Sequence, residues 1–337
     1  MQKTKSVEKS ANTTTNFAEI NELKVDFSSL YTSKDPRNYF KYLGQLDYVI
    51  PHLAQPVFAQ VIRARAELQQ DPVTVLDVGS SYAVNGALMK YALRYEMLRE
   101  RYTFPGLQLL SSEELLDLDR NFFNAWPENP GVRTIALDIS ENAVRYAQQS
   151  GTADLGLAAD FEDRDPTPAE AEALANVDLI ISTGCVGYVT AKTFDRIAKA
   201  TRNGRTPWVV SFVLRMFPFD DIAKTLGKYG LVTEKFEGAT FVQRRFGNRE
   251  EMEAAIMAVE KRGIDTRGHE AEGLYHAELF VSRPAEEIER VPLQKLLTVV
   301  SGANVPWTVG TNVLGSFGRA ARRRARAQRP KLVAKPH

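Results

Sequence analysis

Cysteine is almost absent from this chain of 337 residues, since Cys185 is the only one. A single cysteine excludes an intramolecular disulfide, which agrees with a reducing compartment. Histidine is also scarce, and the four present are too scattered to indicate a zinc site: His52, His269, His276 and His337. We therefore predict a cytoplasmic protein without a structural metal.

Long apolar runs are missing too. No run approaches the roughly 18 residues that span a bilayer, and the N-terminal stretch MQKTKSVEKSANTTTN has no apolar core that could make a signal peptide. We expect no membrane partner. The apolar fraction of 44% and the charged fraction of 25% are those of an ordinary globular protein.

Acidic residues are absent from the C-terminal end. From Arg319 to His337 the chain has eight Lys or Arg and no acid, whereas the rest holds the other 35 basic and all 42 acidic residues. Such a tail either contacts nucleic-acid phosphates or is a solvated end without a partner. Changes in composition along the chain predict five regions: a disordered N-terminus (1–20), a helical lid (21–70), a main domain (71–283), a C-terminal extension (284–318) and the basic tail (319–337).

The main domain alternates strands and helices. VTVLDVG precedes ALMKYALRYEMLRE, RTIALDIS precedes ENAVRYAQQSG, VDLIISTG precedes AKTFDRIAKATRNG, and TPWVVSFVLR precedes DDIAKTLGKYG, with a shorter strand in LGLAAD. This order predicts an α/β fold with a doubly wound, mainly parallel sheet. Two later runs, LVTEKFEG and GLYHAELFVSRP, are candidate edge strands.

An unusually long segment, 102–131, separates the first helix from the second strand. Within it, SSEELLDLDRNFF has a serine N-cap and acids in the first turn. We predict an inserted helix that leaves the first strand end and helps to cover a ligand there.

The loop after the first strand, GSSYAV, is poor in glycine. A dinucleotide fingerprint starting at Gly79 would need glycines where Ser81 and Val84 stand, and no Gly-Lys-Ser/Thr phosphate loop follows any strand. Asp77 at the mouth of this loop would repel a diphosphate and attract a cation. Asp138 ends the second strand, where a carboxylate can accept hydrogen bonds from ribose hydroxyls.

The stretches VLDVGSSYA, IALDIS, AADFED and VDLIISTGCVGYV resemble the successive cofactor motifs of class I S-adenosylmethionine-dependent methyltransferases, over roughly residues 72–282. The resemblance implies a seven-stranded Rossmann-like sheet with an antiparallel last strand, and S-adenosyl-L-methionine as cofactor. In that family the first loop is usually D-x-G-x-G-x-G, whereas Ser81 and Ala83 replace two of the glycines here. The implied cofactor-binding residues are Asp77, Gly79, Ser80, Ser81, Tyr82, Asp138, Ile139, Asp160, Phe161, Thr183 and Gly184.

The fourth strand carries no Asn/Asp-Pro-Pro-Tyr/Phe signature and no Pro-Cys pair, which favours a small molecule as acceptor, methylated on oxygen or nitrogen. An RNA or DNA methyltransferase that uses the basic tail, and a non-catalytic protein with the same fold, stay open as alternatives. His276 and His52 are the candidate bases, and candidate substrate contacts are Tyr31, Tyr39, Tyr42 and Tyr188. Cys185 is expected to be a buried apolar side chain.

Overall fold

The computed structural model describes residues 33–69, 72–201 and 206–299. In these ranges one sheet runs in the order β3-β2-β1-β4-β5-β8-β6, and β7 pairs with β8. The strands are β1 (Val73–Val78), β2 (Val132–Asp138), β3 (Leu155–Ala158), β4 (Leu179–Thr183), β5 (Trp208–Leu214), β6 (Leu231–Lys235), β7 (Phe241–Arg245) and β8 (Leu274–Pro284).

Strands β1 to β5 are parallel, and β8 is antiparallel to β5, β6 and β7. The prediction of a doubly wound, mainly parallel α/β sheet is confirmed. The expectation that β8 is an edge strand is wrong, because it pairs with β5 on one side and with β6 and then β7 on the other. Strand β7 was not predicted, since FVQRR is short and ends in charges.

Helices cover both faces of the sheet. They are α1 (Arg37–Gln45), α2 (Ile50–Glu67), α3 (Val84–Lys90), α4 (Tyr95–Thr103), α5 (Ser112–Asn124), α6 (Glu141–Ser150), α7 (Pro168–Leu174), α8 (Ala191–Ala200), α9 (Asp220–Gly227), α10 (Arg249–Lys261), α11 (Ala285–Arg290) and α12 (Leu293–Leu296). Short 3-10 segments lie at Pro105–Leu109 and Glu270–Glu272. No helix in the described ranges combines the length and apolar character needed to span a bilayer.

The single helix expected in ALMKYALRYEMLRE is broken into α3 and α4. Tyr91 leaves the helical conformation, forms an isolated bridge with Glu128, and donates its hydroxyl hydrogen to the carbonyl of Gly151 at 2.8 Å. These contacts to distant segments outweigh the local helical pattern. The inserted helix is confirmed as α5, where Ser111 and Glu114 form a capping box.

Two segments outside the main alternation of strands and helices form what we call the cap: the N-terminal segment (33–45) and the insertion (104–124). Asp35 accepts a hydrogen bond from the Ser112 hydroxyl at 2.6 Å, which joins the two. Helices α1 and α2 contribute Phe40, Leu43 and other apolar side chains to the same core as the sheet. The described part of the segment 21–70 contains α1 and α2, and its role as a lid stays a prediction.

Candidate functional site

The strand order reverses between β1 and β4, because β2 and β3 lie on one side of β1 while β4 and β5 lie on the other. In open α/β sheets, ligands bind outside the carboxyl ends of the strands at such a point. We call this region the crevice. It is bordered by the loop 79–83 after β1, by Asp138 at the end of β2 and by Thr183 at the end of β4.

The loop after β1 contains three residues in the left-handed region. They are Gly79 (φ 69°), Ser81 (φ 50°) and Ala83 (φ 51°). A Cβ at Gly79 would lie 2.6 Å from the Cβ of Cys185, so only glycine fits there. Ser81 and Ala83 keep the conformation that glycine favours, at a cost of about 1–2 kcal/mol each. The loop therefore has the left-handed backbone typical of glycine at two positions where the sequence has serine and alanine.

The carboxylate of Asp138 faces this loop. It accepts hydrogen bonds from the backbone N–H groups of Ser81 and Ser140, both at 2.9 Å. Burial raises its pKa above the usual range, and these hydrogen bonds oppose that rise. Ile139 follows with 75% of its surface exposed, which is unusual for a large apolar residue. An acid and an exposed apolar side chain thus stand together at the end of β2.

The third strand end is less open than expected. Asp160 is exposed and accepts a hydrogen bond from the backbone N–H of Glu162 at 2.8 Å. Phe161, whose ring was expected to lie against a ligand, is 2% exposed and belongs to the core under the sheet. Its binding role stays a prediction, but in this conformation the ring packs against protein.

Asp77 is buried rather than open at the loop mouth. Its closest partner is Asn85, whose Nδ2 lies 3.2 Å from Oδ2 and also 3.1 Å from Oγ1 of Thr183. Burial raises the pKa of Asp77 to about 7. In the described part of the chain no Lys or Arg forms an ion pair with it, so its charge is uncompensated.

Several polar atoms near the crevice are buried without a hydrogen-bond partner among the described residues. They are the hydroxyls of Ser80, Ser81 and Tyr95 and the Oδ1 atom of Asn85. Buried polar groups are normally hydrogen-bonded, so these atoms are available to a polar ligand. Sequence reasoning missed Asn85 and Tyr95, because their role depends on burial.

The loop after β4 closes the other side of the crevice. Gly184 is left-handed (φ 73°), and the side chain of Gln243 on β7 packs against it. The Sγ atom of Cys185 lies 3.2 Å from the carbonyl of Val78, and burial raises the pKa of the thiol to about 12. Cys185 is partly exposed rather than fully buried as predicted, and a raised pKa disfavours the reactive thiolate form. Tyr188 is 57% exposed, as a substrate contact would have to be before binding.

The cap tyrosines differ in position. Tyr39 is buried and meets the rings of Tyr48 and Tyr82 edge to face, with centroids 6.0 Å apart in both cases. Tyr42 is 43% exposed on α1, and Tyr31 lies outside the described residues. Tyr48, which was not among the predicted contacts, lies just after the cap, and its ring meets those of Tyr39 and Tyr95 edge to face.

The two candidate bases are in different settings. His52 is partly exposed in the first turn of α2, with Nδ1 3.0 Å from Oε1 of Glu96. His276 is fully buried on β8, its Nδ1 lies 3.0 Å from the Thr240 hydroxyl, and burial lowers its pKa to about 3. Strands β4 and β5 separate β8 from β1, so His276 is remote from the loop after β1.

No group of three or more His, Cys, Asp or Glu in the described ranges could hold a metal ion. The basic tail (319–337) lies outside these ranges, so its nucleic-acid role stays a prediction.

No family model and no curated protein matches the chain. Among solved structures it is similar to precorrin-6y C5,15-methyltransferase from Geobacter metallireducens GS-15, with 11% identity and a TM-score of 0.33 over 67% of this chain and 86% of that one. It is also similar to magnesium protoporphyrin IX methyltransferase from Synechocystis PCC 6803 with bound SAM, with 14% identity and a TM-score of 0.32 over 69% and 80% of the two chains.

The fold is defined by the strand order. With five parallel strands and an antiparallel strand inserted next to the edge, the chain has the fold of the class I S-adenosylmethionine-dependent methyltransferases.

Proposed function

We propose that this protein is an S-adenosyl-L-methionine-dependent methyltransferase that methylates oxygen or nitrogen of a small molecule. The observation that carries the proposal is the buried, uncompensated carboxylate of Asp77 beneath a loop with unsatisfied hydroxyls. A buried acid of this kind favours a cationic ligand, and it disfavours a diphosphate. S-adenosylmethionine carries an ammonium and a sulfonium and has no phosphate.

The other end of the crevice suits an adenosyl group. The two oxygens of Asp138 accept backbone N–H groups and keep acceptor capacity for a ribose hydroxyl. Ile139 offers an exposed apolar surface to the adenine ring, and Asp160 offers an acceptor for the adenine amino group. This orientation directs the cationic end of the ligand toward Asp77.

Methyl transfer forms a bond from the methyl carbon to the acceptor atom as the carbon–sulfur bond breaks, and a neutral thioether leaves. The protein has to align the acceptor and exclude water, and an acceptor hydroxyl or ammonium must also lose a proton. The cap contacts the loop after β1 through Ser33 and Tyr82, and a cap beside the crevice favours a small acceptor. Tyr48 and Tyr95 are our candidates for contacts to it, and His52 beside Glu96 is the better placed of the two candidate bases.

Calorimetry with S-adenosylmethionine, S-adenosylhomocysteine and NAD tests the cofactor assignment. We expect both adenosyl ligands to bind and NAD not to bind. Asp138→Ala should weaken S-adenosylhomocysteine by about 1.5–3 kcal/mol, the scale of hydrogen bonds to a charged group. Asp163→Ala, at an exposed acid near the same edge, is the matched control. Binding of NAD alone, or unchanged affinity in folded Asp138→Ala protein, would contradict the assignment.

Catalysis is tested with methyl-labelled cofactor and small-molecule extracts of the native host. We expect a labelled product heavier than its precursor by one methylene group, formed by the native protein and lost in Asp138→Ala. A protein that binds S-adenosylhomocysteine and labels nothing would instead be the non-catalytic alternative. Label in RNA or DNA would indicate the nucleic-acid alternative.

A further inference from the structure

The side chain of Tyr82 is held by the cap, although its backbone lies in the middle of the loop after β1. Its hydroxyl donates a hydrogen bond to the carbonyl of Ser33 at 2.7 Å. Its ring meets those of Tyr39 and Tyr146 edge to face, with centroids 6.0 and 6.1 Å away. Only 3% of the residue is exposed. Tyr82 is thus a direct link between the loop and the N-terminal segment.

Tyr82 also stands between the two strained residues of the loop. Ser81 and Ala83 are left-handed without being glycine. Such conformations persist only where surrounding contacts enforce them. The carbonyl of Tyr82 accepts a hydrogen bond from the Thr152 hydroxyl at 3.2 Å, so this residue is tied down at its backbone as well as at its side chain.

The segments that hold Tyr82 are themselves fixed to the insertion. The guanidinium of Arg37 bonds Asp35 and donates to the carbonyls of Leu107 and Leu110 at 2.8 and 2.7 Å. The hydroxyl of Tyr146 donates to Asp119 of the inserted helix at 2.6 Å. Contacts therefore run without interruption from the insertion through Tyr82 to the loop.

We propose that Tyr82 is a positioning residue that anchors the cofactor loop to the cap, and that this anchor replaces the conformational freedom that glycines at 81 and 83 would supply. The inference rests on the proposed function, because it takes the loop to be the cofactor loop. It assigns the N-terminal segment and the insertion a role in cofactor affinity, in addition to covering the acceptor. Loosening the cap would release the loop from its binding conformation.

The test is a mutant cycle in the full chain that combines Tyr82→Phe with the double substitution Ser81→Gly/Ala83→Gly. The control is Tyr229→Phe, because Tyr229 donates a similar hydroxyl hydrogen bond, 2.7 Å to Oδ1 of Asp195, and neither residue belongs to the loop, the cap or the segments that hold Tyr82. Two quantities are measured: the affinity for S-adenosylhomocysteine by calorimetry, and the hydrogen-exchange rates of the amides of residues 79–83 in the ligand-free protein.

We expect Tyr82→Phe to weaken S-adenosylhomocysteine about tenfold and to speed loop exchange about tenfold, the scale of the strain at one left-handed residue. In the glycine-substituted loop the same change should weaken the ligand only about twofold, since the conformation no longer needs an anchor. Tyr229→Phe should change both quantities less than about twofold.

Equal effects of Tyr82→Phe and Tyr229→Phe on both quantities would overturn the inference. An equal loss of affinity in both loop backgrounds would also overturn it, because Tyr82 would then act by some other route than strain. If the native protein does not bind S-adenosylhomocysteine, the proposed cofactor is wrong, and the exchange rates alone decide whether Tyr82 anchors the loop.

Discussion

At the scale of single residues, the ionisation of Asp77 makes the stability of the folded protein depend on pH. In the folded protein its pKa is about 7, against 3.8 for the ordinary group. Between these values the folded state binds more protons than the unfolded state, so this group's contribution to stability falls as pH rises from about 4 to about 7. We expect Asp77→Asn to remove this fall and to raise the free energy of unfolding at pH 8, by at most about 4 kcal/mol.

Urea denaturation at pH 5 and pH 8 measures this difference. Asp163→Asn serves as the control, because Asp163 is exposed. If Asp77→Asn is no more stable than the native protein at pH 8, Asp77 is not a buried uncompensated acid.

The same residue predicts a pH dependence of cofactor binding. A cationic ligand favours the carboxylate form of Asp77, so its binding releases a proton below about pH 7. We expect the affinity for S-adenosylmethionine to rise with pH up to about 7 and then to level off. In Asp77→Asn the affinity should be weaker and should lack this rise, as measured by calorimetry at pH 5.5 and 8. A rise of equal size in the variant would assign the effect to another group.

At the scale of elements, the stability of α5 depends on one buried carboxylate more than on the capping box at its N-terminus. Asp119 is 0% exposed and accepts hydrogen bonds from Arg101, Tyr102 and Tyr146, at 2.6 to 2.9 Å. We expect Asp119→Asn to lower the free energy of unfolding by about 3 kcal/mol, because it leaves a buried network unpaired. Ser111→Ala, which removes only the capping box, should cost about 1 kcal/mol.

Urea denaturation compares the two variants, and limited proteolysis reports whether the insertion has been released. The larger loss should be accompanied by faster cleavage within the insertion. A cost of Asp119→Asn no greater than that of Ser111→Ala would mean that the helix is held by its apolar face alone.

Elements with strong local signals were predicted correctly. Acids beside a serine predicted α5 and its serine N-cap, and a short β-branched run predicted β1. The break between α3 and α4 was not predicted, because it depends on contacts of Tyr91 with segments far away in sequence. The interior position of β8 likewise depends on which strands it pairs with.

At the scale of the whole molecule, the described part of the C-terminal extension (284–299) shares the core of the main domain. Leu293 is 1% exposed and belongs to the same cluster as Phe58 of α2. We expect Leu293→Ala to lower the free energy of unfolding by about 2–5 kcal/mol. Val291→Ala, at a residue that is 39% exposed, should cost less than about 1 kcal/mol.

Urea denaturation again provides the measurement. Equal small costs for Leu293→Ala and Val291→Ala would mean that this segment does not contribute to the core.

The sequence by itself determined the fold class, the position of the crevice and the acids at its edge, because strand and helix periodicity and residues such as Asp138 at strand ends are local patterns. Only the tertiary structure decided that Asp77 is buried, that Ser81 and Ala83 are left-handed, and that Tyr82 is tied to Ser33. Burial and strain depend on which distant segments pack against a residue, and a local pattern does not contain that information.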